Sequence, residues 1–95
     1  MRIIVESIGL AALSAAIGWR FEIELERGSL ADLVDQVLAQ AGPQARRVLL
    51  DSEGALDSSV QVMVNDEGFV PRDRLAQHQL KHGDRVRFML LACGG

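Results

Sequence analysis

The residues with the clearest chemical potential stand at the end of the chain, Ala92-Cys93-Gly94-Gly95, directly after an apolar run of strand character. Residues without a Cβ thread a narrow channel and take up almost any backbone angle, so Gly94 and Gly95 suit a tail whose carboxylate is handed to another protein's active site. On that reading the reactive group is the carboxylate of Gly95. A frayed terminus also ends in small residues, and the glycine pair alone does not separate the two. His78 and His82 stand four apart, as metal ligands on a helix face would. Gly83-Asp84 turns the chain immediately after His82, however, and no cysteine or acid cluster completes a metal set. Both histidines therefore read as solvent-facing. No Ser/His/Asp or Cys/His constellation is evident for nucleophilic catalysis.

Composition narrows the partners of such a tail. With 95 residues, 48% of them hydrophobic, the chain can build one core and no second domain. A net charge of −3 with no long basic block, and only Trp19, Phe21, Phe69 and Phe88 as aromatics, leaves neither a phosphate-neutralising surface nor a stacking platform. Nucleic acid is excluded as the expected partner. The single cysteine, Cys93, cannot form an internal disulfide, which fits a reducing cytoplasm. Residues 7–18 (SIGLAALSAAIG) imitate the apolar part of a secretory signal. Only Arg2 supplies positive charge, though, Glu6 precedes the stretch, and residues 2–5 already read as a strand. The stretch is also shorter than the about 20 apolar residues that span a bilayer. A soluble protein without membrane association is expected.

The elements that must position the tail follow from periodicity. Residues 2–6 are rich in isoleucine and valine and bounded by Ser7, as a short buried strand would be. Leu10, Leu13, Ala16 and Ile17 have helical spacing up to Gly18, predicting a short helical turn between two strands. Residues 19–26 (WRFEIELE) alternate strictly, with Trp19, Phe21, Ile23 and Leu25 on one face and charged residues on the other. Ser29 is placed to cap a helix whose stripe is Leu30, Leu33, Val34, Val37, Leu38 and Ala41, ended by Gly42-Pro43. Residues 45–50 read as a further short turn or strand, and residues 51–59 as a polar connecting loop.

Val60, Val62 and Val64 share one face of a third strand, and residues 65–68 (NDEG) turn the chain. A single helical turn is placed within residues 75–80. Residues 81–84 (KHGD) then turn into a last strand whose Val86, Phe88 and Leu90 share a face. One main amphipathic helix on a mixed sheet of four or five strands, an α+β arrangement, buries every apolar face named here. The expected core is Trp19, Phe21, Ile23, Leu25, Leu33, Val37, Val62, Val64, Val86 and Phe88.

That order, with the string Val62-Met63-Val64-Asn65, the later Leu75 and Leu80, Gly83-Asp84 before an alternating strand and Gly94-Gly95 at the end, resembles the MoaD/ThiS family of ubiquitin-like sulfur carriers, which includes the molybdopterin synthase small subunit. The resemblance covers nearly the whole chain and rests on joint order and distance from the end. It implies a β-grasp fold over residues 1–90 and a flexible tail over residues 91–95. Carriers serving molybdopterin often have a proline-rich stretch before the glycines, where this chain has Leu90-Leu91-Ala92-Cys93. The usual Asn-Gly after the third strand is here Asn65-Asp66. The long segment over residues 42–59 resembles molybdopterin-type carriers more than the compact thiamin-type ones.

The resemblance further implies that an E1-like partner adenylates the carboxylate of Gly95 with ATP. A sulfide or persulfide donor would then leave a thiocarboxylate that a synthase subunit consumes in cofactor biosynthesis, with molybdopterin as the first expectation. The chain would bind no cofactor itself and would be a co-substrate rather than an enzyme. Residues 91–95 reach about 17 Å when extended, enough to enter a buried site while the body stays outside, with Gly94 and Cys93 in the threading part. If Val86 and Phe88 face the core, Met89 and Leu91 point outward beside the tail, as contacts for a partner or under the protein's own loops. Arg85 and Arg87 share that face, either to pair with a partner's acids or simply solvated. A thiol beside an activated glycyl group, Cys93, could trap the acyl group or pair with a persulfide, and is equally a tolerated small residue in a tail. A ubiquitin-like modifier joined to lysines through Gly95, a carrier for thiamin or another metabolite, and a plain binding module are the competing readings.

Overall fold

Seven residues of β character at the start of the chain form the strand around which the sheet is built. In a computed structural model that describes residues 1–9, 18–26 and 28–90, strand β1 (Arg2–Ile8) lies between β2 (Arg20–Glu24) and β5 (Arg85–Leu90). It pairs antiparallel with β2, Ile3 opposite Ile23 and Val5 opposite Phe21, and parallel with β5, Val5 opposite Val86. On the far side of β5 run β3 (Val60–Val64) and the short β4 (Phe69–Val70), both in antiparallel pairs. The order β2-β1-β5-β3-β4 is a mixed five-stranded sheet carrying one main helix, the β-grasp arrangement.

Helix α1 (Leu30–Ala41) starts where two backbone donors are capped reciprocally. The Asp32 amide donates to Ser29 Oγ at 3.4 Å while the Ser29 amide donates to Asp32 Oδ2 at 2.9 Å. Leu30, Leu33, Val34, Val37 and Leu38 form its buried stripe. They meet Ile3, Val5, Ile23, Val60, Val62, Val64, Val86 and Phe88 from one face of the sheet in a single core. The expected Leu33, Val37, Ile23, Val62, Val64, Val86 and Phe88 are all in it, and Phe21 and Leu25 pack half-buried against its edge.

Trp19 is a correction: it is 63% exposed. β2 begins one residue later, at the edge of the sheet, and alternation assigns a residue to a side without supplying anything to cover it. β1 also runs two residues past the expected boundary. Ser7 lies opposite Phe88 and its amide donates to the Trp19 carbonyl at 2.8 Å, because ladders on both flanks outweigh one residue's turn preference. Residues 43–49 form a second helix, α2 (Pro43–Leu49), in place of the expected turn or strand. Proline closes α1, yet its preset φ and missing N–H suit the first position of the next helix. The polar loop follows as expected, and the later helical turn is a 3-10 helix, Arg72–Gln77, a few residues earlier than periodicity placed it. The helical turn expected from Leu10 to Ile17 lies outside the described residues.

Candidate functional site

The face of the sheet turned away from α1 carries the residues the sequence set beside the tail. Parity places Arg85, Arg87 and Met89 on it from β5, and Ile4, Glu6 and Ile8 from β1 beside them in register. Met63 stands opposite Arg87, Gln61 opposite Met89, and Phe69 opposite Met63. Ile8 (45% exposed) and Phe69 (47% exposed) are open to solvent, with Met63 and Met89 half-buried near them. Ile8 and Met89 are neighbours one residue before β5 ends at Leu90, and Trp19 lies at that same end of the sheet. Ile8, Met89 and Trp19 therefore form an apolar rim beside the end of β5. Leu91, Cys93, Gly94 and Gly95 themselves lie outside the described residues.

The centre of the face is charged and tightly satisfied. Glu6 is buried to 7% exposure, and its carboxylate accepts from Arg87 Nε and Nη2, both at 3.2 Å. Arg85 Nε at 3.7 Å and Arg20 Nε at 3.9 Å complete a ring of three guanidinium groups around one acid. A second acid closes the lattice from the β3–β4 turn, where Asp66 pairs with Arg85 Nη2 and lies 3.4 Å from Arg87 Nη1. Arg85 and Arg87 are thus on the outer face and already held by the protein's own acids. They present a fixed, partly neutralised positive surface to anything that docks.

The turn that delivers Asp66 explains the departure from Asn-Gly. Asn65 (φ 54°) and Asp66 (φ 62°) both have positive φ, the tight hairpin geometry in which glycine is usual and Asn or Asp is tolerated. Glycine would hold the turn as well but would offer Arg85 and Arg87 no carboxylate. Asn65 locks the turn to its neighbour: its Oδ1 accepts from the Arg85 amide and its Nδ2 donates to Asp84 Oδ1, both at 2.8 Å. Asp84 Oδ2 in turn accepts from the Lys81 amide at 2.7 Å, so the β3–β4 turn and the turn that leads into β5 are both braced. Sequence reasoning missed Glu6 and Asp66 as part of the site. The available signal was an acid inside the apolar run RIIVESI, at a parity matching Arg85 and Arg87.

The histidines do not form a ligand pair. His82 Nδ1 accepts from the Arg2 amide at 2.9 Å, while His78 is half-buried and its carbonyl accepts from the Leu30 amide. Among the described residues no three ligating side chains gather at one point. Nor is any described helix long and apolar enough to cross a membrane.

The geometry invites comparison with known proteins. No curated protein matches the chain significantly. Among solved structures it resembles SAMP1 from Haloferax volcanii, with 17% identity, a TM-score of 0.78 and both chains covered in full. Urm1 from Trypanosoma brucei has 22% identity and a TM-score of 0.74, over 99% of this chain and 95% of that one. A chain of the Amycolatopsis orientalis BexX/CysO complex has 26% identity and a TM-score of 0.67, over 98% and 99%. These likenesses agree with the β-grasp sheet and helix found here. The model of the ThiS family matches residues 11–95, which spans four of the five strands, the helices and the terminal glycines. With a β-grasp sheet and a family match that runs to the terminal Gly94-Gly95, this chain belongs to the ThiS family of ubiquitin-like sulfur carriers.

Proposed function

We propose that the chain carries sulfur as a thiocarboxylate on Gly95 and delivers it to a synthase in cofactor biosynthesis, with a molybdopterin precursor as the first acceptor to test. The observation that carries this reading is the ThiS match running through to Gly95 on a fold whose last strand ends at Leu90. A terminal carboxylate titrates near 3.3 to 3.7 on the reference scale, so it is an anion at neutral pH and a poor electrophile. One of its oxygens attacks the α-phosphorus of ATP in an E1-like partner, and pyrophosphate leaves. Hydrosulfide then adds at the glycyl carbonyl carbon, AMP leaves, one proton is released and the thiocarboxylate remains. With a persulfide donor, a second thiol cleaves the intervening acyl disulfide and is itself oxidised into a disulfide with the donor. The chain supplies the group that reacts and its partners supply the catalysis.

The outer face serves this role as the docking platform. Met89 and Leu91, with Ile8 beside Met89, offer adaptable apolar contact next to the threading residues Cys93 and Gly94. Arg85 and Arg87, held by Glu6 and Asp66, set the orientation of the partner's acids. Cytoplasmic operation fits the lone cysteine. A second reading, conjugation of Gly95 to lysines of other proteins, draws support from likeness to a small archaeal modifier protein. One experiment separates them: intact mass after incubation with an E1-like enzyme, ATP and sulfide. Exchange of one oxygen for sulfur adds about 16 Da, whereas conjugation gives large adducts. An unchanged mass with an enzyme active on its own carrier would overturn both.

A further inference from the structure

On the helical side of the sheet, away from the outer face, a cleft of about 440 Å³ opens between α1, the loop after α2 and the 3-10 helix. Its floor is apolar. Val34 and Leu38 come from α1, Leu56 from the loop and Leu75 from the 3-10 helix, all buried against the common core. Its size matches pockets that take a small ligand or one or two large side chains.

The wall is built rather than loose. Asp51 Oδ1 accepts from the amides of Glu53 and Ala55 at 2.9 and 3.1 Å, and the Asp51 amide donates to the Ala55 carbonyl at 2.7 Å. Arg72 crosses from the 3-10 helix, donating to the Leu56 carbonyl at 2.7 Å and to Asp51 at 3.4 Å. The cleft is therefore open without a rearrangement, which removes an ordering cost from binding.

Charge decides the occupant. Asp35 on α1 and Asp73 on the 3-10 helix both line the cleft, both are exposed, and among the described residues neither has a hydrogen-bonding or ionic partner. The cation at the wall, Arg72, is committed to Asp51 and Leu56. Two uncompensated carboxylates on an apolar slot repel a second copy of a chain whose net charge is −3. A floor without polar groups offers little to orient a polar small molecule.

We propose that this cleft receives a segment of a protein partner that inserts one large aliphatic or aromatic side chain over Val34 and Leu75 and sets a lysine or arginine against Asp35 and Asp73. Such a partner leaves the outer face and the tail free, so it holds the carrier while another protein works on Gly95.

The test selects randomised linear peptides on the full chain and measures the enriched peptides by titration and by backbone amide NMR shifts. The expected peptides carry one large apolar residue with a lysine or arginine within a few positions. They move the amides of Val34, Asp35, Leu56 and Ala76 and weaken as salt is raised. Asp35→Lys with Asp73→Lys lowers their affinity at least tenfold. Ala76→Trp, at an exposed position on the rim, fills the slot and removes binding. Both variants retain the wild-type melting temperature and the mass shift at Gly95. Enrichment of acidic or uncharged peptides, shifts centred on Ile8, Met89 and Phe69, loss of neither binding nor affinity in the variants, self-association through the cleft, or no enrichment overturns the proposal. Absence of the mass shift in the wild-type chain concerns the tail alone and leaves this test standing.

Discussion

Glu6 shows how one side chain ties the sheet to the surface a partner meets. It is buried between strands and surrounded by three arginines, so its removal takes both hydrogen bonds from the half-buried Arg87, leaving it the ion pair with Asp66, while the apolar rim is untouched. Glu6→Ala should cost about 1.5–3 kcal/mol, the range for hydrogen bonds to charged groups, read from urea midpoints at constant slope. A loss under about 0.5 kcal/mol would place the lattice with ordinary surface pairs. Asp66 separates backbone from charge, because its φ of 62° suits glycine while its carboxylate pairs with Arg85 and Arg87. Asp66→Ala should be less stable than Asp66→Gly by about 1 kcal/mol, the penalty of a Cβ in that conformation. Equal stability of the two would mean the turn relaxes away from this geometry. At Asp51, backbone amides of Glu53 and Ala55, helped by Arg72, hold the carboxyl below its ordinary value of 3.8. The folded value is the lower one, so this contribution is complete above that ordinary value and is lost as pH falls through the folded value. The gap in urea midpoint between the wild type and Asp51→Asn should therefore be constant near neutral pH and close only below about pH 4. A gap that closes at higher pH would exclude Asp51 as its source.

Among the elements, the junction between α1 and α2 depends most on one residue. Gly42 has φ 87° and ψ −175°, a region reached almost only by glycine, and it lets the chain leave α1 and enter α2 at Pro43 without a loop. A Cβ built there meets nothing within 4 Å, so the cost of Gly42→Ala is conformational rather than steric. It should amount to about 1–3 kcal/mol in thermal or urea unfolding. A neutral result would mean the helices redirect, and amide shifts of Ala45 and Leu49, both buried in the core, would report it. The same junction carries the chain into the braced loop over residues 51–57, so α2 is also what sets the wall of the cleft.

At the scale of the whole molecule, the core and the reactive group are separate. Among the described residues the core lies between Ile3 and Phe88, whereas the carboxylate proposed to react belongs to Gly95. Deleting Gly95, or extending the chain beyond it, should abolish the mass shift and sulfur transfer while leaving the melting temperature unchanged. One residue displaces the carboxylate by about 3.5 Å, more than a reacting geometry tolerates. Cys93→Ser should keep most of the transfer. Loss of transfer in Cys93→Ser with full activity in the Gly95 deletion would make the thiol the carrier.

Much of this was legible in the chain. Strict alternation in β2, β3 and β5 and the stripe of α1 determined which faces are buried, because burial of an amphipathic face is a local pattern with few solutions. Ser29 likewise announced the start of α1. What the sequence could not decide depends on neighbours distant along the chain. Trp19 has the correct parity and no cover, since cover comes from other elements. Residues 43–49 are too short for periodicity to separate helix from strand, and packing of Ala45 and Leu49 into the core chose the helix. Glu6, Arg85, Arg87 and Asp66 are scattered from β1 to β5 and become one lattice only because β1 lies parallel to β5 with the β3–β4 turn beside them. The cleft with Asp35 and Asp73 arises in the same way, from three segments whose proximity no local pattern encodes.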